Sequence, residues 1–311
     1  MTKENLSKDN GPKLDVKIGG LRLKNPVMLA SGTCGYGEEL SDLIDLSALG
    51  GIVVKGISLE ARTGNKPPRL FETPCGLLNA IGLENVGVQS FLKEKLPWLK
   101  KNQVTTVVNI LGNSIDEYEQ MAALLDGQPG IDAIEVNISC PNVKKGGVLF
   151  GTDPKAAFEV TRAVKRACSL PVIVKLSPNV TDICEIAIAA EEAGADGVSL
   201  INTLLAMAID IKKRRPVLGN VFGGLSGPAI KPVALRMVWQ VSRAVSIPVV
   251  GIGGITTYED AIEFLMAGAS AIQVGTATLV KPAAGLDILH GLVDFMLQNN
   301  YQSIGELKIQ D

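Results

Sequence analysis

The chain has 311 residues, 46% of them hydrophobic and 20% charged, and a formal net charge of −2. A chain of this length buries roughly three quarters of its unfolded surface and needs no covalent staples, while its near-balanced charge gives no general attraction to nucleic acid or to an anionic membrane. Its five cysteines, Cys34, Cys75, Cys140, Cys168 and Cys184, are odd in number, widely spaced and free of any C-x-x-C pair. That speaks against a disulfide framework, a zinc site or an iron–sulfur cluster within the chain, and for a reducing cytoplasm.

Met1 to Lys13 is polar and charged with no signal-peptide core, and no apolar run reaches the length of about 18 residues that a membrane span needs. Residues 1–13 read as a disordered tail. Residues 14–311 read as one α/β domain, because strand and helix patterns alternate without a composition break. The one histidine, His290, lies among Ile288, Leu289, Leu292, Val293 and Met296 in an apolar-periodic helix, a packing or surface position. Ser-His-Asp triads and histidine metal sites drop out, no metal is expected, and a base must be Cys, Lys or a carboxylate.

In chain order, Leu14 to Leu23 predicts a small hairpin turning at Gly19-Gly20, a plug for a barrel floor. Eight short apolar runs follow: Pro26 to Ala30, Gly51 to Lys55, Val104 to Ile110, Ala133 to Ile138, Pro171 to Leu176, Gly197 to Ile201, Ile247 to Ile252 and Ala271 to Gly275. Several are β-branched and unbroken, as parallel strands covered by helices should be. Between them lie helices with start signals: Thr152-Asp153-Pro154 ahead of a helix to Ala167, Thr181-Asp182 ahead of one ending at Gly194, and a capping box of Thr257 with Asp260 before a helix closed by Gly268. Eight strands with crossover helices make a (β/α)8 TIM barrel. A doubly wound sheet is the rival, but no G-x-G-x-x-G follows the first strand, and Gly32 to Gly37 has the wrong spacing. Ser58 to Gly87, rich in Pro, Gly and Asn and without a helical pattern, is a long insertion after the second strand; Leu205 to Gly227 is a similar one after the sixth. Insertions of that length are usually functional.

The carboxyl ends of these strands carry Ser31-Gly32, Lys55-Gly56, Asn109, Asn137, Lys175, Asn202-Thr203, Gly253-Gly254 and Gly275-Thr276, on the face where barrels bind ligands. The two glycine pairs leave backbone N–H groups free for an anion, the usual barrel phosphate site, and Lys55 and Lys175 suit an electron-rich ring. A flavin mononucleotide meets both demands. Four amides, Asn79, Asn85, Asn137 and Asn202, match a cyclic ureide with alternating N–H and C=O edges. The fourth strand, with Glu135, Asn137 and Ser139 on one face, breaks at Cys140-Pro141-Asn142 and runs into the cationic Lys144-Lys145-Gly146-Gly147. Cys140 is thus held where a rigid strand meets a flexible loop, beside lysines that favour a thiolate.

Taken together, Ala30-Ser31-Gly32, Val54-Lys55-Gly56, Asn79 to Asn85, Asn137 to Asn142, Lys175 to Asn179, Ile201-Asn202-Thr203, Gly224 to Pro228, Gly251 to Gly254 and Val274-Gly275-Thr276 resemble the class 1B dihydroorotate dehydrogenases, flavin-containing catalytic subunits of pyrimidine biosynthesis. The resemblance runs from Leu14 to about Leu297. It implies an FMN-bound barrel that oxidises (S)-dihydroorotate to orotate, with Cys140 taking the C5 proton while a hydride leaves C6. It further implies that Ser31, Lys55, Gly56, Asn109, Asn137, Lys175, Ile201, Gly227, Gly253, Gly254, Gly275 and Thr276 hold FMN. Lys55, Asn79, Ala80, Ile81, Gly82, Leu83, Asn137, Asn202 and Thr203 would hold the substrate, and a loop closing over Cys140 would exclude water. Cys34, where relatives often carry an aromatic, and the bulky Ile110-Leu111 depart from the family pattern.

This chain has no dinucleotide motif and no membrane-binding helix at its start. The resemblance therefore implies electron transfer to NAD+ through a partner subunit carrying FAD and a 2Fe-2S cluster, in a cytoplasmic heterotetramer built on a homodimer of this chain. Rival readings are a class 1A enzyme that passes electrons to fumarate without a partner, a tRNA-reducing flavin barrel, which the acidic charge disfavours, and a non-catalytic flavin-binding barrel.

Overall fold

The computed structural model describes residues 11–139 and 150–309. Eight parallel strands, β1 (Val27–Leu29), β2 (Gly51–Val53), β3 (Thr106–Ile110), β4 (Ala133–Asn137), β5 (Val172–Lys175), β6 (Gly197–Leu200), β7 (Val249–Ile252) and β8 (Ala271–Val274), pair in chain order and close into a barrel. All eight predicted runs are strands, each trimmed by a residue or two at its ends.

Successive side chains on a strand point to opposite sides, so each strand sends one set inward and one set outward. The outward set, including Leu29, Ile52, Val108, Val136 and Val174, packs in the main core with the helices. The inward set forms layers. Met28, Val53, Val107, Ala133, Ile173, Val250 and Ala271 fill the lower layer together with Ile18, Leu21 and Leu23 of the N-terminal hairpin. That hairpin pairs Val16 with Leu23 and Ile18 with Leu21, and it plugs the barrel floor as expected.

Two residues further along, the inward positions of β3, β4, β5, β6 and β8 become polar: Asn109, Glu135, Lys175, Ser199 and Gln273, all buried. The helices start where the sequence says they should. Asp153 accepts from Ala156 N–H ahead of Pro154–Ala167, Asp182 accepts from Cys184 N–H ahead of Ile183–Glu192, and both halves of the Thr257/Asp260 capping box are formed. His290 sits on the exposed side of the helix Ala284–Gln298.

The two insertions differ from their irregular appearance in the sequence. Leu70–Thr73 and Gly76–Asn79 from the first join Leu204–Ala206 and Gly223–Ser226 from the second in one four-stranded antiparallel sheet. Leu78 pairs with Leu225 and Asn79 with Gly224, over a small core of Leu78, Ala80 and Leu218. Glycines make the close approach possible: a Cβ on Gly223 would lie 2.7 Å from the Asn79 carbonyl oxygen. Among the described residues no helix is long and apolar enough to cross a membrane.

Candidate active site

Where the strands end, the predicted site residues gather on one face. Ser31, Lys55, Asn137, Asn202, Thr203, Gly253, Gly254, Gly275 and Thr276 are half-buried, while Gly56, Asn109, Lys175, Ile201 and Gly227 are buried beside them. Asn202 Nδ2 donates to Asn137 Oδ1 at 3.3 Å, and Thr203 N–H donates to Asn202 Oδ1 at 2.8 Å. Ser31 Oγ donates to the Val54 carbonyl at 2.8 Å. A Cβ on Gly56 would lie 2.6 Å from Asn109 Oδ1, and one on Gly253 would lie 3.3 Å from Ile201 Cγ1.

Two runs of backbone donors in this region are unmatched. The N–H groups of Gly253, Gly254, Gly275 and Thr276 donate to no described residue. Gly253 and Gly254 have φ of 123° and 76°, which only glycine adopts freely. Their neighbours Thr256 and Thr257 are committed instead to Asp260, whose carboxylate also takes Lys231 Nζ at 2.7 Å. Thr276 Oγ1 donates to Ser226 Oγ at 2.8 Å, and a cavity of about 630 Å³ bounded in part by Pro228, Thr256 and Thr276 opens beside it.

The second run follows the strand Gly76–Asn79. Ala80 N–H donates to the Arg69 carbonyl, but the N–H groups of Ile81, Gly82 and Leu83 donate to no described residue. With Gly82 and Leu83 at φ of 78° and 60°, the turn is a concave set of donors of the kind that holds a carboxylate or phosphate. Asn79 Nδ2 is tied loosely to the Gly224 carbonyl at 3.3 Å.

Asn85, the fourth amide of the sequence reading, has to be removed from the ligand set. It is buried, its Oδ1 accepts from Ser58 and Gly87 N–H, and its Nδ2 donates to Ser58 Oγ and the Leu83 carbonyl. Its hydrogen-bonding capacity is consumed in shaping the loop.

Lys55 makes no hydrogen bond or ion pair with a described residue. Burial holds its amine below the ordinary lysine range, with Glu84 acting against that shift and Arg69 adding to it. Cys34 is the opposite of a reactive thiol: burial above all, then Glu39, pushes it up to about 12, and its Sγ is turned to the Ala30 and Val53 carbonyls. Cys140 and the loop through Gly147 lie outside the described residues. The strand end that leads to them is well anchored, since Tyr118 donates to the Asn137 carbonyl at 2.6 Å and Ser139 N–H donates to Asn137 Oδ1 at 3.1 Å.

A family model for dihydroorotate dehydrogenase matches residues 13–296. The chain belongs to the dihydroorotate dehydrogenase family. It is 60% identical over 294 residues to a Desulforamulus reducens protein named dihydroorotate dehydrogenase B (NAD(+)), catalytic subunit, covering 94% of this chain and 97% of that one. A Geotalea daltonii protein of the same name is 56% identical over 296 residues, 95% of this chain and 97% of its own.

For a member of the dihydroorotate dehydrogenase family, two features of the strand ends fit the flavin mononucleotide that the sequence resemblance implies. The unmatched N–H groups of the two glycine pairs suit its phosphate. Gly275 fits in a second way: an added Cβ would meet only Ala30 Cβ, at 3.5 Å, so no other described residue crowds its backbone on that side.

The sequence reading named Asn109 and Lys175 but missed Glu135, Ser199 and Gln273, which with them make a polar floor beneath this site. Glu135 Oε1 accepts from Asn109 Nδ2 at 2.7 Å and Lys175 Nζ at 3.4 Å, and Oε2 accepts from Ser199 Oγ and Gln273 Nε2, both at 2.8 Å. A signal was present: Glu135 shares the inward face of its strand with Asn137, in a run otherwise apolar.

Proposed function

We propose that this chain oxidises (S)-dihydroorotate to orotate in pyrimidine synthesis, as the FMN-carrying catalytic subunit of an NAD+-linked dihydroorotate dehydrogenase of the cytoplasm. What carries the reading, within the family, is the presence of two separate sets of unmatched backbone donors at one barrel mouth, at Gly253 to Thr276 and at Ile81 to Leu83. One suits a cofactor phosphate and the other a substrate carboxylate.

In this reading Gly253, Gly254, Gly275 and Thr276 bind the phosphate, and Ser31, Lys55, Gly56, Asn109, Asn137, Lys175, Ile201 and Gly227 line the flavin. Asn79, Asn137, Asn202 and Thr203 meet the alternating N–H and C=O edges of the pyrimidine. The N–H groups from Ile81 to Leu83, beside Ala80, hold its carboxylate, with Lys55 supplying positive charge. The Cys140 thiolate removes the C5 proton and later returns it to solvent, and the electron pair left behind forms the C5=C6 double bond. Bound FMN supplies the acceptor for the hydride that leaves C6. A partner subunit carrying FAD and a 2Fe-2S cluster takes the electrons on to NAD+, in a heterotetramer built on a homodimer of this chain.

The test is a visible spectrum of the pure chain under anaerobic conditions. A flavin spectrum that bleaches on addition of dihydroorotate alone is expected. A chain that binds no flavin, or whose flavin stays oxidised with dihydroorotate, would overturn the reading. NAD+ reduction at full rate by the chain alone would dispose of the partner.

A further inference from the structure

Glu135 has no part in the reading above, yet it is the one carboxylate of the buried polar floor, and it is fully buried there. Four side chains from four other strands converge on it: Asn109 and Lys175 on one oxygen, Ser199 and Gln273 on the other. That is a complete set of partners for a carboxylate, which only accepts. The arrangement is directional as well. Both amides turn their NH2 ends to Glu135, and their oxygens, Asn109 Oδ1 and Gln273 Oε1, are left buried without a donor. All four donors thus face one carboxylate, and the floor is organised around it.

The one charge that Glu135 meets is Lys175, at 3.4 Å, with side-chain exposures of 0% and 7%. Lys55 stands just past the end of β2, at the same mouth, with β3 and β4 between it and the strand of Lys175. Among the described residues Lys55 has no carboxylate within ion-pair distance, and Glu84 acts on it only from further away. Two cations thus serve one mouth, and only Lys175 is in contact with an anion among the described residues. Glu135 and Lys175 are both buried, so solvent and salt screen little of their charges.

We propose that Glu135 is a positioning residue that holds the Lys175 ammonium at the end of β5 and offsets its charge, so that the bound flavin is a weaker oxidant than two bare lysines would make it. The proposal rests on the flavin reading above. A reduced flavin carries more negative charge than an oxidised one, so a nearby uncompensated cation binds the reduced form more tightly, and removing the anion that faces that cation does the same.

The test is the flavin reduction potential of the holoprotein, by spectroscopic titration against a reference dye, in four proteins: parent, Glu135→Gln, Lys175→Met and the double variant. Glu135→Gln is expected to tighten reduced over oxidised flavin about tenfold, a rise of about 30 mV for a two-electron couple. Lys175→Met should move it the other way. The double variant, which buries no unpaired charge, should lie within about 15 mV of the parent, and this comparison remains available if either single variant does not fold. A merely structural role for Glu135 would alter melting temperature and flavin content but not the potential. A shift below about threefold, roughly 15 mV, in Glu135→Gln, or a double variant displaced from the parent by more than about 15 mV, would overturn the proposal. Failure of the parent to bind flavin would instead overturn the reading on which it rests.

Discussion

Alanine at Gly275 separates what the ligand requires from what the fold requires. The added Cβ meets only Ala30 Cβ at 3.5 Å, an ordinary contact, while the backbone, at φ −109° and ψ −101°, lies between the regions that alanine prefers. The ligand-free chain should therefore lose about 1 kcal/mol, or 2 to 4 °C in melting temperature. The N–H groups of Gly275 and Thr276 donate to no described residue. Hydrogen bonds from such groups to a charged phosphate are worth about 1.5 to 3 kcal/mol each. A methyl group that denies one of them should weaken FMN binding about 10- to 100-fold. Gly254→Ala is the contrast. Its φ is +76°, and the new Cβ would lie 2.8 Å from Lys231 N and 2.9 Å from the Gly227 carbonyl oxygen, backbone atoms that no rotamer change moves. Left-handed strain and overpacking together should take about 2 to 4 kcal/mol from the ligand-free fold. Thermal melts of the FMN-free chain beside fluorescence titrations with FMN read both quantities. If Gly275→Ala bound FMN within threefold of the parent, or lost as much stability as Gly254→Ala, the assignment of these donors to a phosphate would be wrong.

Two further outcomes follow from charge. Burial depresses the Lys55 amine, so the unfolded chain binds more protons between the folded value and the ordinary 10.5, and stability rises with pH through that window. Lys55→Met should abolish that rise and raise the melting temperature at neutral pH by about 1 to 3 °C, while removing dihydroorotate binding; a lower melting temperature would contradict it. Burial also pushes the Asp260 carboxyl up, but Lys231 and the Thr256 and Thr257 donors more than offset this and hold it below the ordinary 3.8. Its contribution is complete above 3.8 and is lost as pH falls through the folded value. Asp260→Asn should therefore be less stable by about 1 to 2 kcal/mol at neutral pH, with a gap to the parent that narrows below pH 4. A gap independent of pH would refute this.

The barrel was legible because its strands are covered on both faces and so read as unbroken apolar runs, and because Asp153, Asp182 and the Thr257/Asp260 box form local bonds within a few residues. The sheet built from the insertions was not. Its strands are short, partly exposed and rich in glycine, and their pairing joins Leu78 to Leu225, far apart in the chain. The strand-end residues lie together at the barrel mouth because parallel strands that close into a barrel bring all their carboxyl ends to one face. Asn85 was misread for the same reason that Glu135 was passed over: the partners that decide the role of a polar side chain come from other elements. Ser58 and Gly87 consume the amide of Asn85, and four other strands supply the donors to Glu135.

The claim on which the chemistry turns is that Cys140 is the base. Stopped-flow reduction of the flavin by dihydroorotate, without oxygen or a second acceptor, tests it in Cys140→Ala beside Cys34→Ala. The account predicts that Cys140→Ala keeps its yellow colour and binds orotate but is reduced at least about 100-fold more slowly, while Cys34→Ala is reduced at the parent rate. Reduction of Cys140→Ala at the parent rate would contradict it.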